Sequence, residues 1–537
     1  MKKPIKIIDL FSGPGGLGEG FSVCKNEDGS QAFQIAVSIE KEKSAHSTLL
    51  LRAFYRLLDD EQKIAYFDFM KGKLGSKPAE KLYNMFSEQY EAAKKEAQCL
   101  ELGKDNTKIN SAIRNAVGDE ECIIIGGPPC QAYSLAGQAR NKGNCDYSAE
   151  HDQRNFLYKE YLKVIARFQP TMFVMENVKG MLSAKVNGQP IFDSIYRDLK
   201  NPCKFSKTAP EIGREKHNYK LFSLVSSNEC KDNVNRDPRE FIIYSEEYSI
   251  PQKRHRVILL GIRDDLAHLW NDDTMRLNRG RKLVTVEDVL NGLPELRSGL
   301  SKVKNHTDTD WIEAVTSIKK DIIPALLRSK NTKHNSVATE IEKIIQNLDT
   351  PKDRQGGIFG LKSHKIKTGN SELNNWFYEQ RLNGFIANHE TRGHIVKDLN
   401  RYLFCSTWAI CAEKEKWNTK TPKSNNYINE LTPNHANFKT GKFADRFRVQ
   451  AKSIPATTIT SHISKDGHYF IHPDPRQCRS LTVREAARIQ TFPDNYFFVG
   501  NRTEQYVQVG NAVPPYLAFQ IANILKQYLP NKQLINQ

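Results

Sequence analysis

A short apolar stretch that runs directly into glycine is the feature that most restricts how this chain can fold. Residues 6–10 (KIIDL) are typical of a buried strand, and four of the next eight residues are glycines. A strand that ends in a glycine-rich turn before a helix lets a ligand lie against the backbone. A second apolar stretch, residues 34–39 (QIAVSI), ends at Glu40, whose carboxylate could accept hydrogen bonds from two ribose hydroxyl groups. This order predicts a site for a nucleoside-containing ligand.

Further apolar stretches alternate with predicted helices in the first half of the chain. Strands are predicted at residues 122–125, 171–175 and 257–262, with an amphipathic helix at 156–168. The region 59–102 is rich in Lys, Glu, Ala and Leu and is also predicted to be helical. The alternation predicts an α/β fold with a parallel sheet and helices on both faces. The glycine loop alone suits NAD as well as S-adenosylmethionine.

The length of 537 residues is sufficient for two or three domains. Between about residues 264 and 470, Lys- and Asn-rich stretches without a regular repeat predict a second domain with long loops. Regular patterning returns at 480–489, where Thr482 and Glu485 have the spacing of a helix-capping box. We expect a catalytic, cofactor-binding domain at 1–263, completed by about 500–537, and a second domain with a hinge at 264–499.

Charge and cysteine usage narrow the class of protein. Lys and Arg outnumber Asp and Glu by 79 to 62, a net charge of +17 that suits a nucleic acid partner or, equally at this point, a merely basic surface. The ten cysteines form no CxxC pair, and His389 and His394 lack cysteine partners, so we expect neither disulfides nor a metal site. No stretch approaches the roughly 20 apolar residues of a membrane helix, and a cytoplasmic location is expected.

The strand at 122–125 leads into a loop that predicts a nucleophile. Gly126, Gly127, Pro128 and Pro129 precede Cys130. Loops at the carboxyl ends of strands form the binding crevice of an open α/β sheet, and two prolines stiffen this one. A thiolate near a following helix start would be favoured there. The alternative is a buried structural cysteine, against which the two prolines argue.

Two further motifs contribute charged groups. Glu176 follows the next strand and would share the crevice with Cys130; a partly buried carboxyl group there could keep a proton and donate it. Arg254 and Arg256 alternate onto one face of a strand that begins near them. Taken alone, the arginines fit an exposed charged strand equally well.

Read in chain order, these motifs together resemble the DNA (cytosine-5)-methyltransferase family, of the bacterial restriction–modification type. The matching segments are residues 9–18, Glu40, 128–134, 176–178, 252–256, 479–494 and 508–514 (QVGNAVP). The resemblance implies a Rossmann-like sheet of the S-adenosylmethionine-dependent methyltransferases, with a second, irregular target-recognition domain.

The resemblance also implies residue roles. Cys130 would attack carbon 6 of a cytosine, Glu176 would hold and protonate ring nitrogen 3, and Arg254 and Arg256 would hold the base and its backbone. Asp105 is a candidate to contact the adenine amino group. The residues expected to line the S-adenosylmethionine site are Phe11, Gly13, Gly15, Gly16, Leu17, Glu40, Pro128, Asn511 and Val513.

The expected partner is double-stranded DNA, from which the target base must be flipped because its reactive atoms are inaccessible inside the duplex. We expect a monomer that modifies DNA in a restriction–modification system, with a cognate endonuclease acting separately. One alternative is the same chemistry on transfer RNA, which the long segment 264–470 disfavours. A NAD-dependent oxidoreductase would leave the Cys130 and arginine motifs unexplained, and an inactive DNA-binding module would not need Cys130 and Glu176.

Overall fold

The computed structural model describes residues 3–129, 157–186, 188–226, 237–271, 274–303, 305–363, 368, 370–434 and 446–533. The predicted nucleophile, Cys130, lies outside these described residues. The chain divides into two compact units. The first comprises Met1–Asp59, Tyr83–Arg281 and Ala512–Gln537, and the second comprises Asp60–Leu82 and Lys282–Asn511.

The first unit is built on an eight-stranded sheet. Its strands are β1 (Ile5–Leu10), β2 (Phe33–Glu40), β3 (Ala97–Cys99), β4 (Cys122–Gly126), β5 (Met172–Val178), β6 (Tyr219–Phe222), β7 (Ile242–Tyr244) and β8 (His255–Arg263). The spatial order is β3-β2-β1-β4-β5-β8-β6, with β7 also pairing with β8. Strands β1 to β5 are parallel, as predicted, whereas β8 runs antiparallel to β5, β6 and β7.

Helices alternate with these strands along the chain, which confirms the predicted α/β class. They are α1 (Gly16–Ser22), α2 (Lys43–Leu57), α3 (Lys63–Met70), α4 (Pro78–Met85), α5 (Ser87–Glu96), α6 (Asn106–Val117), α7 (Leu157–Phe168), α8 (Ile191–Lys200) and α9 (Pro202–Ser206), with a C-terminal helix described below. Of these, α3 and the start of α4 belong to the second unit. The central strands read as nearly continuous apolar runs because both of their faces are buried.

The C-terminal helix, Pro515–Gln533, packs against α1 in the first unit. The approach is close at Gly16, where a Cβ atom would lie only 2.3 Å from the backbone oxygen of Val513. Any side chain at position 16 would therefore push the end of the chain away from the glycine loop. The packing explains how a helix from the far end of the sequence completes the unit that begins at the N-terminus.

The second unit contains α10 (Val286–Leu290), α11 (Asp308–Thr316), α12 (Ile318–Arg328), α13 (Thr332–Gln346), α14 (Ser371–Phe377), α15 (Val396–Lys414), α16 (Val483–Ile489) and α17 (Arg502–Asn511), and the C-terminal helix of the first unit is α18. Helices α11, α12, α13 and α15 surround a core that contains the fully buried Trp311 and Trp408. The polar composition of 264–470 did not predict these helices, because their apolar stripes are narrow. None of the described helices has the length and apolarity needed to cross a membrane.

Candidate active site

The predicted catalytic and cofactor segments of the first unit meet at one edge of the sheet. Strands β1, β4 and β5 are parallel, so the loops that follow them leave from the same side. Strand β8 runs the other way, and Arg256 near its start is in register with Val178 at the end of β5. The glycine loop, the loop toward Cys130, Glu176 and the arginines are thereby brought to the carboxyl edge, where open α/β sheets bind ligands.

The glycine loop is tied to the acid at the end of β2. The backbone N–H of Gly13 donates to Oε2 of Glu40 at 2.8 Å, and the N–H of Glu42 donates to Oε1 at 2.7 Å. Burial raises the pKa of Glu40, and the backbone N–H groups of Glu42 and Gly13 partly oppose this. Phe11 and Gly13 have φ values of 55° and 57°, which fold the loop back toward β2. The two predicted cofactor motifs are therefore in direct contact.

The other predicted cofactor residues are distributed over both units. Gly15 caps α1, in which Gly16 and Leu17 are buried, and Val513 adjoins Gly16. Asn511 ends α17 and belongs to the second unit. Asp105, the candidate for the adenine amino group, uses Oδ2 to accept the N–H of Glu101 at 2.9 Å.

Glu176 lies between Arg256 and Gly127. Its Oε1 lies 2.7 Å from Nε of Arg256, and both side chains are nearly buried, with exposed fractions of 12% and 13%. A Cβ atom at Gly127 would lie 3.0 Å from the other carboxyl oxygen, Oε2. Glycine at 127 thus leaves just enough room for the carboxyl group beside the loop that leads toward Cys130.

Arg254 lies deeper than Arg256 and is 2% exposed. Burial lowers the pKa of Arg254 strongly, the charge of Arg256 lowers it further, and Glu176 opposes both. One carboxylate therefore faces two guanidinium groups. Two guanidinium groups beside one carboxylate are donors that an anionic ligand such as a DNA phosphate could use.

Asn177 fixes the start of the loop that leads to Cys130. Its side-chain Nδ2 donates to the backbone oxygen of Pro128 at 3.2 Å, and its exposed fraction is 4%. This contact links the ends of β4 and β5. Sequence reasoning assigned no role to Asn177 or to Gly127. For Asn177, the signal that could have indicated a role is its position directly after Glu176, at the end of a predicted strand.

The histidines that invited comparison with metal ligands lie in the second unit and have other partners. His389 contacts Oγ1 of Thr482 through Nδ1 at 2.8 Å and the backbone oxygen of Pro294 through Nε2 at 3.0 Å. His394 is buried beside Tyr402. Among the described residues, one group of side chains reaches metal-ligand spacing: the set His217, Asp264 and Asp265. Asp264 and Asp265 are exposed, and Asp265 is already paired with Arg263.

We expect the second unit to lose stability in mild acid. Burial lowers the pKa of His389 and of His472 to about 4, from 6.5. The unfolded chain therefore binds protons first as pH falls below 6.5, and stability is lost progressively down to about pH 4, by about 3 kcal/mol for each histidine. Urea unfolding followed by tryptophan fluorescence from pH 7.5 to 4.5 measures this. A free energy of unfolding that stays constant between pH 7 and 5 would contradict this prediction. The control variant is His462→Gln, which alters an exposed histidine.

Comparison with known proteins identifies the family to which the chain belongs. The profile of the C-5 cytosine-specific DNA methylases matches residues 82–202 and 240–527, which is most of the chain. The chain belongs to the C-5 cytosine-specific DNA methylase family. It is therefore an enzyme, a DNA (cytosine-5)-methyltransferase, as the ordered motifs predicted.

Its relatives are similar over nearly the whole length. The chain is 31% identical to the type II methyltransferase M.Bpa9945I of Bacillus paralicheniformis, over 97% of this chain and 99% of the relative. It is 25% identical to the type II methyltransferase M.AgeI of Thalassovita gelatinovora, over 97% and 99%. A crystal structure of a DNA modification methyltransferase encoded within an E. coli prophage covers 98% of this chain and 99% of its own, with a TM-score of 0.51 and 18% identity, and supports the fold.

Proposed function

We propose that this methyltransferase transfers a methyl group from S-adenosylmethionine to carbon 5 of a cytosine flipped out of double-stranded DNA, through a covalent adduct with Cys130. The observation that carries the proposal is the arrangement of Glu176 between Arg256 and Gly127. It places a carboxyl group and guanidinium groups beside the loop that leads into Cys130. We further propose that the enzyme is the modification partner of a restriction endonuclease, since its relatives bear type II names.

The residues of the glycine loop fit S-adenosylmethionine. The buried carboxylate of Glu40 is anchored by backbone N–H groups and retains lone pairs for ribose hydroxyl groups. The fully buried carboxyl group of Asp9, whose oxygens have no hydrogen-bond partner among the described residues, suits a nearby positive charge. Phe11, Gly13, Gly15, Gly16, Leu17, Pro128 and Val513 would complete the site; the assignment of Asn511 to it stays a prediction from the sequence. When bound, S-adenosylmethionine supplies an electrophilic methyl group.

The chemical difficulty lies in carbon 5 of cytosine, which is a poor nucleophile while the ring is aromatic. Addition of the Cys130 thiolate to carbon 6 breaks the 5,6 double bond and makes carbon 5 nucleophilic. Glu176 holds and protonates ring nitrogen 3, so that negative charge does not build up in the ring. Carbon 5 then takes up the methyl group; loss of its proton re-forms the double bond and expels the Cys130 thiolate.

The arginines and Asn177 position the reactants. Arg256 orients Glu176, and together with Arg254 it offers positive charge to the flipped nucleotide and its phosphate. Asn177 holds the backbone at Pro128, two residues before Cys130 in the sequence. The net charge of +17 supports a polyanionic substrate, and residues 264–470 are proposed to recognise the target sequence.

A covalent trap tests the proposal. Double-stranded DNA with 5-fluorocytosine at the target position is expected to form an adduct that survives denaturation, because fluorine cannot leave carbon 5 as a proton does. Bisulfite sequencing of DNA from cells that express the chain first identifies the target. The adduct is then measured by denaturing electrophoresis and by mass spectrometry of the peptide that contains Cys130.

Two controls define the outcome. The adduct should require S-adenosylmethionine for its stability and should be absent with Cys130→Ser. Cys203→Ser, which changes a half-buried cysteine elsewhere in the first unit, should form it normally. Methylation of ordinary DNA without any trapped adduct would contradict the covalent mechanism, and methylated transfer RNA without methylated DNA would contradict the proposed substrate.

A further inference from the structure

Asp9 is a buried carboxyl group that the proposed chemistry does not use. It lies near the end of β1, directly before the glycine loop, and is fully buried. Neither of its oxygens has a hydrogen-bond partner among the described residues. The hydroxyl of Ser12, in the loop, donates instead to the backbone oxygen of Asp9 at 2.8 Å. A buried carboxylate without hydrogen bonds is costly, so such a group keeps its proton unless a positive charge comes near.

The position of the carboxyl group on the sheet is defined by its neighbours. Ile8 and Leu10 contribute to the core on one face of the sheet, so Asp9 points to the opposite face. It is in register with Ser38 on β2, whose Oγ is likewise buried without a partner in the described part of the chain. On that face, α1 lies against it: a Cβ atom at Gly18 would be 3.0 Å from Oδ2 of Asp9.

The charged groups around Asp9 do not neutralise it. Burial raises the pKa of Asp9 to about 8 from 3.8; the charge of Arg56 opposes this, whereas the carboxylates of Glu40 and Glu96 raise the pKa further. Arg56 on α2 is already paired with Glu96 on α5. Arg52, also on α2, forms an ion pair with Glu19 on α1, in which both side chains are almost completely buried. Each nearby guanidinium group thus has its own carboxylate.

We propose that Asp9 senses the charge of the cofactor: its carboxyl group is protonated in the cofactor-free enzyme and releases the proton when the sulfonium of S-adenosylmethionine binds to the glycine loop. The inference rests on the proposed function, because it needs that cofactor in that loop. Two observations connect Asp9 with that loop: the Ser12 hydroxyl of the loop donates to the backbone oxygen of Asp9, and the Asp9 carboxyl group interacts electrostatically with Glu40, which accepts the N–H of Gly13. A sulfonium is a permanent cation, and it favours the ionised form of any carboxyl group close to it.

The consequence is discrimination between cofactor and product. Methyl transfer converts the sulfonium into the neutral thioether of S-adenosylhomocysteine, and the positive charge beside Asp9 disappears. Asp9 then takes a proton back from solvent, and the ionised form that stabilises the bound cofactor is no longer favoured. A fixed charge in place of Asp9 would bind cofactor and product with a constant ratio of affinities, whereas a titrating group makes that ratio depend on pH.

Isothermal titration calorimetry of the full chain tests this without measuring activity. Titration with S-adenosylmethionine at pH 7 in buffers of different ionisation enthalpy gives the number of protons released. The wild type is expected to release roughly one proton more than Asp9→Asn, and its Kd should fall about fifteenfold more between pH 6.5 and 8. Comparing two proteins with the same ligand cancels the titration of the cofactor's own amino group. S-adenosylhomocysteine should give the same proton release with both proteins.

The outcomes separate the two proposals. Failure of the wild type to bind S-adenosylmethionine would contradict the proposed function and, with it, this inference. Binding with equal proton release by wild type and Asp9→Asn would contradict the inference alone. Asp198→Asn, which alters another buried aspartate of the first unit, should behave as the wild type. If Asp9→Asn does not fold, infrared difference spectra of the wild type test the inference instead. The carbonyl band of a protonated carboxyl group should vanish when S-adenosylmethionine binds, and it should persist when S-adenosylhomocysteine binds.

Discussion

Replacement of Glu176 by glutamine is expected to slow methyl transfer by about 10²–10⁴-fold, the usual contribution of a general acid or base. Glutamine keeps the size of the side chain and can still form hydrogen bonds to the base, but it cannot transfer a proton to ring nitrogen 3. Oε1 of Glu176 lies 2.7 Å from Nε of Arg256, and a Cβ atom at Gly127 would lie 3.0 Å from Oε2, so the carboxyl group already has a defined position. Single-turnover methylation with saturating DNA and tritiated S-adenosylmethionine measures the effect.

Glu246→Gln is the matched control. Glu246 is a similarly buried glutamate with a basic partner, since its Oε1 lies 3.0 Å from Nε2 of His255, the residue between the two arginines. The change alters charge in the same region without touching the proposed acid, so a rate within about threefold of the wild type is expected. The affinity for S-adenosylmethionine should be unchanged in both variants. A single-turnover rate for Glu176→Gln equal to that of Glu246→Gln would show that Glu176 does not participate in chemistry.

Much of the sheet could be predicted because strands that are buried on both faces consist of short runs of apolar residues. The apolar runs predicted at 6–10, 34–39, 122–125 and 257–262 all lie within strands of the structure. The antiparallel direction of β8 was not predictable, because an apolar run reads the same in both directions. It is nevertheless decisive for the site, since only an antiparallel β8 brings Arg256 to the end of β5.

The helices of the second unit show the opposite case. Helix α13 is predominantly polar, and its buried residues occupy one narrow stripe against α15. Such a helix is stabilised by tertiary packing more than by its own sequence, so composition alone predicted loops. The capping box at Thr482 and Glu485 was predictable, because its two hydrogen bonds are local, and it is confirmed.

Within the site, the charged residues could be predicted from the sequence. The residues that matter through their contacts with neighbouring strands could not. Glu176 and Arg256 were predicted separately, and the structure places them in contact. Gly127 and Asn177 matter because of what lies next to them in space, across two strand ends. Asp9 is a charged residue in an apolar strand, but its lack of hydrogen-bond partners among the described residues is seen only in the structure, where α1 packs against it.

The core of the second unit depends on a buried ion pair at the start of α16. Arg479 donates to both carboxyl oxygens of Glu485 at 2.7 Å, and the backbone N–H of Thr482 donates to Oε2 at the same distance. Both side chains of the pair are about 1% exposed. Burial alone would raise the pKa of Glu485, but the charges of Arg479 and His472 outweigh it and hold that pKa well below its usual range.

Glu485→Gln is therefore expected to destabilise the second unit by about 3–5 kcal/mol, because it leaves the charge of Arg479 buried without a counter-charge. Glutamine can still accept the hydrogen bond from the N–H of Thr482. The loss of stability therefore measures the effect of removing the charge, and not that of removing the helix cap. Glu504→Gln is the control: Glu504 makes the same reciprocal cap with Asn501 at the start of α17, at an exposed site, and should change stability by less than about 1 kcal/mol. Urea unfolding at pH 7.5 measures both. Equal destabilisation by the two variants would mean that the cap, rather than the buried ion pair, stabilises this part of the fold.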